Sequence, residues 1–555
     1  AQSDQKQQER TSPIWQHLWQ GSTQDAEDAQ LANLNPELIE QNFNETLQKL
    51  QTSRAVASLQ PVARGRLDAL MPRLLEELAN TQSPSVTLKR VLPLIETVLR
   101  RSAYLLLLKE NPSALKQLVQ LCSYSPWLAS YLTETPLLLD ELLNQVAHQP
   151  LPDRASLDSE LRQRLLRVEP DDLEQQMEQL RQFVRSHVFQ AAACEVSHTQ
   201  PLMLISGYLT NLAESCLTTV MQLAWEQMIR KYGQPVDPQG NLVNEPEFLV
   251  IGYGKVGGRE MSYSSDLDLV FLHRGWMMGE TRADREAGQR SVDIPVFYTR
   301  MGQRIIHILT TQTRTGELYE VDMRLRPSGN SGMIVASMKA FDDYQNQHAW
   351  TWEHQALVRA RVLCGDPKLA EEFQAIRKNV LTQPRDAAEL ATQVGEMRDR
   401  MRTHLGSGKQ PERPSDDSPD TGSALEQACS ELKFHLKQDA GGIVDIEFLV
   451  QYGVLAWAHK NPELLDVTDN VRLLKALSAA GLLDPKDRQT LQDSYLSYRA
   501  ETHRRALQHR SITLEPHESR AHGFDIRRYR VMRLWDKWLS ADSATERTKP
   551  QDKSE

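Results

Sequence analysis

From about residue 26 to residue 232, apolar side chains recur at three- and four-residue spacings. Ala114-Leu-Lys-Gln-Leu-Val-Gln-Leu121 and Leu137-Leu-Leu-Asp-Glu-Leu-Leu143 show the pattern. This period predicts a succession of helices whose leucine stripes pack against one another. The pattern changes at Glu247-Phe-Leu-Val-Ile-Gly252, an apolar run closed by glycines, and again at Asp266-Leu-Asp-Leu-Val-Phe271, which alternates with period two. A strand there turns Asp266 and Asp268 to one face and sends Leu267 and Leu269 into a core. Leu318-Tyr-Glu-Val-Asp-Met-Arg-Leu-Arg326 alternates as well, with Glu320, Asp322, Arg324 and Arg326 on one face. Between these strands, Asp293 to Thr313 carries Val296, Phe297, Met301, Ile305, Ile308 and Leu309 near helical spacing, which predicts a crossover helix that lays the two strands together. Ala349 to Ala360, Asp445 to His459 and Val471 to Ala480 read as further helices.

The expected fold class is therefore mainly α with an α/β core. Its expected organisation is a polar N-terminal segment at 1–25, a helical region at 26–232, a catalytic core at 233–345, a helical bundle at 346–540 and a disordered tail at 541–555. Residues 1 to about 12 are also expected to be disordered. Gly406 to Ser423, with Pro411, Pro414, Pro419 and several charges, predicts a flexible loop inside the last bundle.

Two carboxylates on one strand face have a chemical consequence. At about 6 Å and an effective dielectric of about 20 they repel by roughly 3 kcal/mol, enough to raise one pKa unless a cation neutralises them. If the crossover brings Asp322 beside them, Asp266, Asp268 and Asp322 form a trio able to bind two hard cations such as Mg²⁺. Arg324 and Arg326 supply positive charge suited to a triphosphate. An Asp-x-Asp pair alone is usually a solvated strand end. Here the preceding glycines, Ser264 and Ser265, and the acid-and-arginine strand make nucleotidyl transfer the better reading.

Gly252-Tyr-Gly254-Lys-Val-Gly257 also satisfies the dinucleotide fingerprint G-x-G-x-x-G. That fingerprint needs a helix before the next strand. Only seven residues separate Gly258 from Asp266, so an oxidoreductase is set aside. A Walker A loop fails as well, because Lys255 is followed by Val256.

At these residues the chain resembles the glutamine synthetase adenylyltransferases, members of the DNA polymerase β-like nucleotidyltransferases. The resemblance rests on Gly252-Tyr-Gly-Lys-Val-Gly-Gly-Arg-Glu260, Tyr263-Ser-Ser-Asp-Leu-Asp268, Tyr319-Glu-Val-Asp-Met-Arg-Leu-Arg-Pro-Ser-Gly329, Trp350-Thr-Trp-Glu-His-Gln-Ala-Leu-Val-Arg-Ala-Arg361 and Gly441-Gly-Ile-Val-Asp-Ile-Glu-Phe448. Upstream, Arg101-Ser-Ala-Tyr104 and Ser125-Pro-Trp127 are similar to the family's central region. The resemblance implies a polymerase β-like core flanked by helical bundles. Full-length members carry two nucleotidyltransferase copies, one removing AMP from glutamine synthetase and one attaching it. This chain holds one copy, similar to the second, and is expected to be a C-terminal portion.

Carried over from the family, Asp266, Asp268 and Asp322 are expected to ligate two Mg²⁺ ions, and Gly257, Gly258 and Ser265 to cradle the phosphates of ATP. Lys255, Arg324 and Arg326 are candidates to neutralise the leaving pyrophosphate, with a salt-bridge role as the competing reading. The implied reaction moves AMP from ATP to a tyrosine of glutamine synthetase. The alternatives are phosphorolytic removal of AMP, or a non-catalytic scaffold binding glutamine synthetase and a PII-type nitrogen signal protein. Glu353, Arg359, Arg361, Asp445 and Glu447 lie in the shared motifs without an assigned role. Val444 stands where a polar or basic residue is common in the family.

Composition narrows the alternatives. With 64 basic and 74 acidic residues the net charge is -10, which disfavours a general nucleic-acid binder. Cys122, Cys194, Cys216, Cys364 and Cys429 contain no C-x-x-C pair, so buried thiols in a reducing cytoplasm are expected. No apolar run reaches the length of a membrane span, and Ala1-Gln-Ser-Asp-Gln-Lys6 lacks a signal peptide's apolar core. The histidines form neither an H-E-x-x-H motif nor an adjacent His-Asp pair, against zinc peptidase and metal phosphohydrolase chemistry built on those motifs.

Overall fold

The structure, a computed structural model, describes residues 12–144, 146–275, 279–286, 288–411 and 419–539. The chain forms two compact units: one from Ala1–Pro152, Gln182–Ile205 and Ala506–Arg510, the other from Asp153–Arg181, Ser206–Arg505 and Ser511–Glu555. Residues 1–11 and 541–555, where disorder was expected, lie outside the described residues, as do Ser540 and 412–418 of the expected loop.

The first unit is built of helices. Pro13–Gln20, Pro61–Ala79, Pro84–Val98, Pro112–Tyr124 and Pro126–Glu134 all start on proline, whose fixed φ suits the first turn and whose missing N–H is not needed there. Pro13–Gln20 lies within the segment read as polar, yet it buries Ile14, Trp15, Leu18 and Trp19. In Pro112–Tyr124 the leucine stripe is core: Leu115, Leu118, Val119 and Leu121 are buried. The second stripe departs from the α-helical expectation. Pro136–Asn144 is a 3₁₀ helix in which Leu139 and Leu142 share a face at three-residue spacing, as that tighter winding demands.

The second unit holds the sheet. Strands β1 (Phe248–Gly252), β2 (Leu267–His273), β3 (Val321–Asp322), β4 (Val335–Ser337) and β5 (Arg361–Gly365) run in the order β3-β2-β1-β5, with β4 also pairing β2. β1 is antiparallel to both β2 and β5. β3 and β4 run parallel to β2 and are reached through helix α1 (Ile294–Thr310). The antiparallel β1–β2 pair rules out a dinucleotide βαβ unit, since the glycine turn between them holds only the four-residue helix Gly254–Gly257.

Leu267 and Leu269 are fully buried in β2. Burying a leucine is worth roughly 1.5–3 kcal/mol, and a one-residue slip would put the aspartates into the core instead, so the alternation sets the register. α1 closes one face of the sheet, where Phe248 meets Phe271 and Tyr298 at ring-centroid distances of 5.5 and 6.1 Å.

Behind the sheet stand helices α2 (Thr351–Val358), α3 (Ile443–Trp457), α4 (Asn470–Ala479) and α5 (Pro485–Leu507). α3 is apolar around almost its whole circumference and forms the centre of this bundle, with Trp457 edge-on to Trp538 at 5.9 Å. The five cysteines are all buried and unbridged.

Two expectations are corrected. The strand read over Leu318–Arg326 is reduced to the two residues Val321–Asp322, and the chain then turns away. Arg326 holds that turn by donating to the carbonyls of Met323, Asn330 and Gly332 at 2.7, 3.1 and 3.2 Å, and Ser328 takes φ +61°. Arg324 and Arg326 therefore do not share a strand face with Asp322. The loop expected over Gly406–Ser423 is shorter, because Pro419–Glu431 is a helix and Gln410 is tied down. Its amide donates to Asp439 at 2.7 Å and accepts from Ala440 N at 3.0 Å.

Candidate active site

Asp268 and Asp322 are direct neighbours across the parallel β2–β3 pair. Leu267 N–H donates to the Glu320 carbonyl at 2.9 Å, extending the pairing by one residue. With Asp266, just before β2, the three carboxylates converge so that one oxygen from each lies within 4.8 Å of the others. Burial first, then the charges of Asp266 and Asp322, push the Asp268 pKa up to about 6. Asp322 goes the other way: hydrogen bonds from Arg324 hold its carboxyl below the usual carboxylate range. Arg324 Nε donates to Asp322 Oδ2 at 2.8 Å, and the arginine is otherwise largely exposed. The guanidinium thus sits where a cation is needed.

This donor set fits hard divalent cations. Three oxygens from three carboxylates converge, and one of the three groups resists ionisation because it is buried beside two other carboxylates.

The glycine turn packs against the same cluster. Gly254 has φ +52°, and a β-carbon there would stand 2.1 Å from Asp268 Oδ2. Gly254 carried no role in the sequence reading, although its place in the turn was visible. Gly257 and Gly258 are pressed against Arg359: added β-carbons would lie 2.2 Å from its carbonyl oxygen and 2.2 Å from Nη2, respectively. Ser265 Oγ is within hydrogen-bond distance of Ser262 N at 2.9 Å, Ser262 Oγ at 2.8 Å and Lys255 Nζ at 3.4 Å. Burial, then the neighbouring cations Lys437 and Arg499, lowers the Lys255 pKa to about 8. Of the nine residues singled out from the sequence, the structure gathers Asp266, Asp268 and Asp322 with Arg324 on one side, and Lys255 with Ser265 on the other. Arg326 is engaged in its own turn.

The motif residues without a role form the scaffold behind the turn. Arg359 is buried between Glu260, with which it is ion-paired, and Glu447, to which Nη1 donates at 2.9 Å. Burial alone would lower its pKa, but Glu260 and Glu447 together hold it above the usual arginine value. Glu260 also accepts from Asn470 N at 3.1 Å and Tyr495 OH at 2.7 Å. The glycine turn is thereby fastened to α3, α4 and α5. Arg361 donates to the carbonyls of Gly257 and Val256 at 3.2 and 3.1 Å. Asp445 is fully buried and accepts from Arg398, Arg402 and Gly441 N, an internal ion-pair network. Glu353 accepts from Trp350 N at 2.9 Å and caps α2. Tyr495 and Asn470 lie outside the motifs read from the sequence, because only the packing of α4 and α5 brings them to Glu260.

Comparison with known proteins finds relatives over most of the chain. Residues 115–376 match the family model described as Glutamate-ammonia ligase adenylyltransferase, a span that contains all five strands of the β1–β5 sheet. Residues 420–512 match the model described as GlnD PII-uridylyltransferase. The chain is 47% identical over 94% of its length to the bifunctional glutamine synthetase adenylyltransferase/adenylyl-removing enzyme of Pseudomonas syringae pv. tomato, covering 51% of that protein. It is 48% identical over 88% of its length to the protein of the same name from Pseudomonas aeruginosa, covering 48% of it. The counterpart from Hahella chejuensis is 46% identical over 94% of this chain and is covered to 52%. The chain spans about half the length of the curated relatives it matches. The family that these matches share is that of the glutamate-ammonia ligase (glutamine synthetase) adenylyltransferases.

Proposed function

We propose that this chain is an adenylyltransferase that moves AMP from ATP to a tyrosine hydroxyl of glutamine synthetase and releases pyrophosphate. The observation that carries the reading is the convergence of Asp266, Asp268 and Asp322 at the edge of a sheet lying within the family match. In this reading the three carboxylates hold two Mg²⁺ ions. When bound, these ions lower the pKa of the acceptor hydroxyl and offset the charge of the leaving pyrophosphate.

A tyrosine hydroxyl has a pKa near 10 in solution and is a poor nucleophile at neutral pH. Asp322, kept ionised by Arg324, accepts the phenolic proton as the phenolic oxygen bonds to the α-phosphorus and the bond to the bridging oxygen of pyrophosphate breaks. Lys255 and Ser265, with the backbone of Gly257 and Gly258, engage the phosphates. Among the described residues the Arg324 side chain is tethered through Asp322, and its exposed guanidinium is free to turn to the departing pyrophosphate once that carboxylate has another cation. Arg326 acts by holding the turn after β3.

Two further elements belong to the reading. The match of residues 420–512 to a PII-uridylyltransferase model supports a PII-type protein as a second partner. No described helix is long and apolar enough to cross a membrane, and the cysteines are unbridged, which supports a cytoplasmic site of action.

The test is incubation with Mg²⁺, ATP labelled on the α-phosphate and unmodified glutamine synthetase, beside Asp266→Asn, with mass spectrometry of the acceptor. Label on a tyrosine, lost in the variant, is the expected result. No label with glutamine and a PII-type protein present would sink the proposal. Release of ADP from AMP-modified glutamine synthetase in phosphate would establish the phosphorolytic alternative, which the relatives' bifunctional name keeps in view.

A further inference from the structure

Helix Leu202–Tyr232 precedes the sheet and has no part in the site described above, yet several of its side chains hold the glycine turn. Asn211 Oδ1 accepts from Arg259 Nη2 at 2.8 Å. Arg259 directly follows the paired glycines and takes φ +55°, a left-handed conformation that a residue with a β-carbon adopts only where its surroundings hold it. Ser206 Oγ and the Glu260 carbonyl both accept from Arg499 Nη2, at 2.8 and 3.0 Å. Glu214, buried on the same helix, completes the set.

Glu214 divides its oxygens between two arginines. Oε1 accepts from Arg361 Nη2, and Oε2 from Arg154 Nη1 at 2.7 Å. Arg259 Nη1 lies 3.8 Å from Oε1, beyond hydrogen-bond reach, so Arg361 is the direct link to the turn. Arg361 opens β5 opposite Gly252, where the turn begins. Its guanidinium is a planar fork, so fixing one nitrogen fixes the direction of the others. Held by Glu214, Nη2 also reaches the Val256 carbonyl at 3.1 Å, and Nε reaches the Gly257 carbonyl at 3.2 Å. Each carbonyl shares a rigid peptide plane with the next residue's N–H, so the planes that join Val256, Gly257 and Gly258 take their tilt from Arg361. Thr468 Oγ1 donates to the Gly257 carbonyl at 2.8 Å, a second hold that does not pass through the helix. Arg154, by contrast, donates through Nε to Asp158 at 2.9 Å and through Nη2 to Thr218 at 3.0 Å, neither of which belongs to the turn.

We infer that Glu214 is a positioning residue for the nucleotide: by orienting Arg361 it sets the carbonyls of Val256 and Gly257, and with them the turn that engages the phosphates. The inference rests on the nucleotidyl-transfer reading. It adds that a helix preceding the sheet governs how tightly ATP is held.

The test combines steady-state kinetics with Mg²⁺, ATP and unmodified glutamine synthetase and calorimetric binding of ATP with Mg²⁺. It uses the full chain, Glu214→Met, Glu214→Gln, Arg361→Gln, the Glu214→Met/Arg361→Gln double variant and Arg154→Gln, all below their melting temperatures. Glu214→Met keeps the volume and removes the acceptor. Because Thr468 still holds Gly257, it should weaken ATP binding about tenfold, not abolish it, and raise the KM for ATP to match, with the KM for glutamine synthetase unchanged. Glu214→Gln keeps one acceptor oxygen and should show a smaller rise of the same kind, which decides the matter if the methionine variant does not fold. In the Arg361→Gln background, Glu214→Met should add less than about twofold, since its effect passes through that arginine. Arg154→Gln takes a partner from the other oxygen, and should lower the melting temperature while keeping the KM for ATP within about twofold of wild type. A merely structural role predicts a lower kcat with both KM values unchanged, and that result would overturn the inference. So would losses that multiply in the double variant, or an equal ATP defect in Arg154→Gln. These outcomes leave nucleotidyl transfer standing. A wild-type chain that binds ATP but transfers no AMP would sink that reading while calorimetry still decides the role of Glu214, and one that binds no ATP would overturn both.

Discussion

Gly254 and Asp268 touch in a way that no other residue at position 254 permits: the missing β-carbon leaves the space that Asp268 Oδ2 occupies. The same glycine takes a positive φ. Turn and carboxylate are thus one structural element. Gly254→Ala should destabilise the chain by about 1–3 kcal/mol, from left-handed backbone strain and the displaced carboxylate together. It should also weaken Mg²⁺ binding. Urea unfolding and isothermal titration with Mg²⁺ measure the two effects, and an alanine variant with unchanged Mg²⁺ affinity would contradict the coupling.

Removing charge from the cluster should separate stability from activity. Asp268→Asn relieves repulsion from Asp266 and Asp322, so without metal it should unfold at a higher urea concentration than the wild type near pH 7. Adenylyl transfer should fall at least a thousandfold, since the metals lose a ligand. A metal-free variant less stable than the wild type would show that the cluster is not strained.

The pH dependence follows from the same group. The folded-state pKa of Asp268, about 6, lies above the value of about 3.9 for an exposed aspartate, so between these values the folded chain retains a proton that the unfolded chain has lost. The contribution of Asp268 to stability is therefore full below that window and falls as pH rises through it. The difference in urea midpoint between wild type and Asp268→Asn should shift in favour of the variant over this range and level off above it. Mg²⁺ affinity should decline as pH drops below about 6, with proton uptake on metal release detectable in buffers of different ionisation enthalpy.

Glu260 and Arg359 give the largest expected stability effect. Both are buried and paired, so removing either takes a charged partner from the other inside the protein, at a cost of roughly 3–5 kcal/mol. Glu260→Gln should keep part of the network through Asn470 and Tyr495 and lose less than Glu260→Ala. A double-mutant cycle with Arg359→Met would measure the coupling. Additive losses would mean that the two side chains act independently.

Arg324 offers a contrast. Its bond to Asp322 is solvent-exposed on the arginine side, so Arg324→Ala should barely change the melting temperature. The Asp322 pKa should rise toward the ordinary carboxylate value, and pyrophosphate release should slow. A large fall in melting temperature would assign Arg324 a structural role instead.

The alternation of Asp266-Leu267-Asp268-Leu269 was enough to orient β2, because a period of two leaves a strand no other way to bury its leucines. The apolar spacing in Asp293–Thr313 likewise implied the crossover, and with it the parallel approach of Asp322 to Asp268. The local pattern could not say where β3 ends. Alternation continued through Arg326, but the carbonyls that Arg326 binds exist as a set only once the chain has turned. Nor could it show what backs Gly257 and Gly258, since Arg359 reaches them from just before β5 and is held by both Glu260 and Glu447. Local sequence thus determined which side chains share a face. Tertiary structure decided which charges meet, because pairing across long sequence separations depends on how helices pack and not on any period within them.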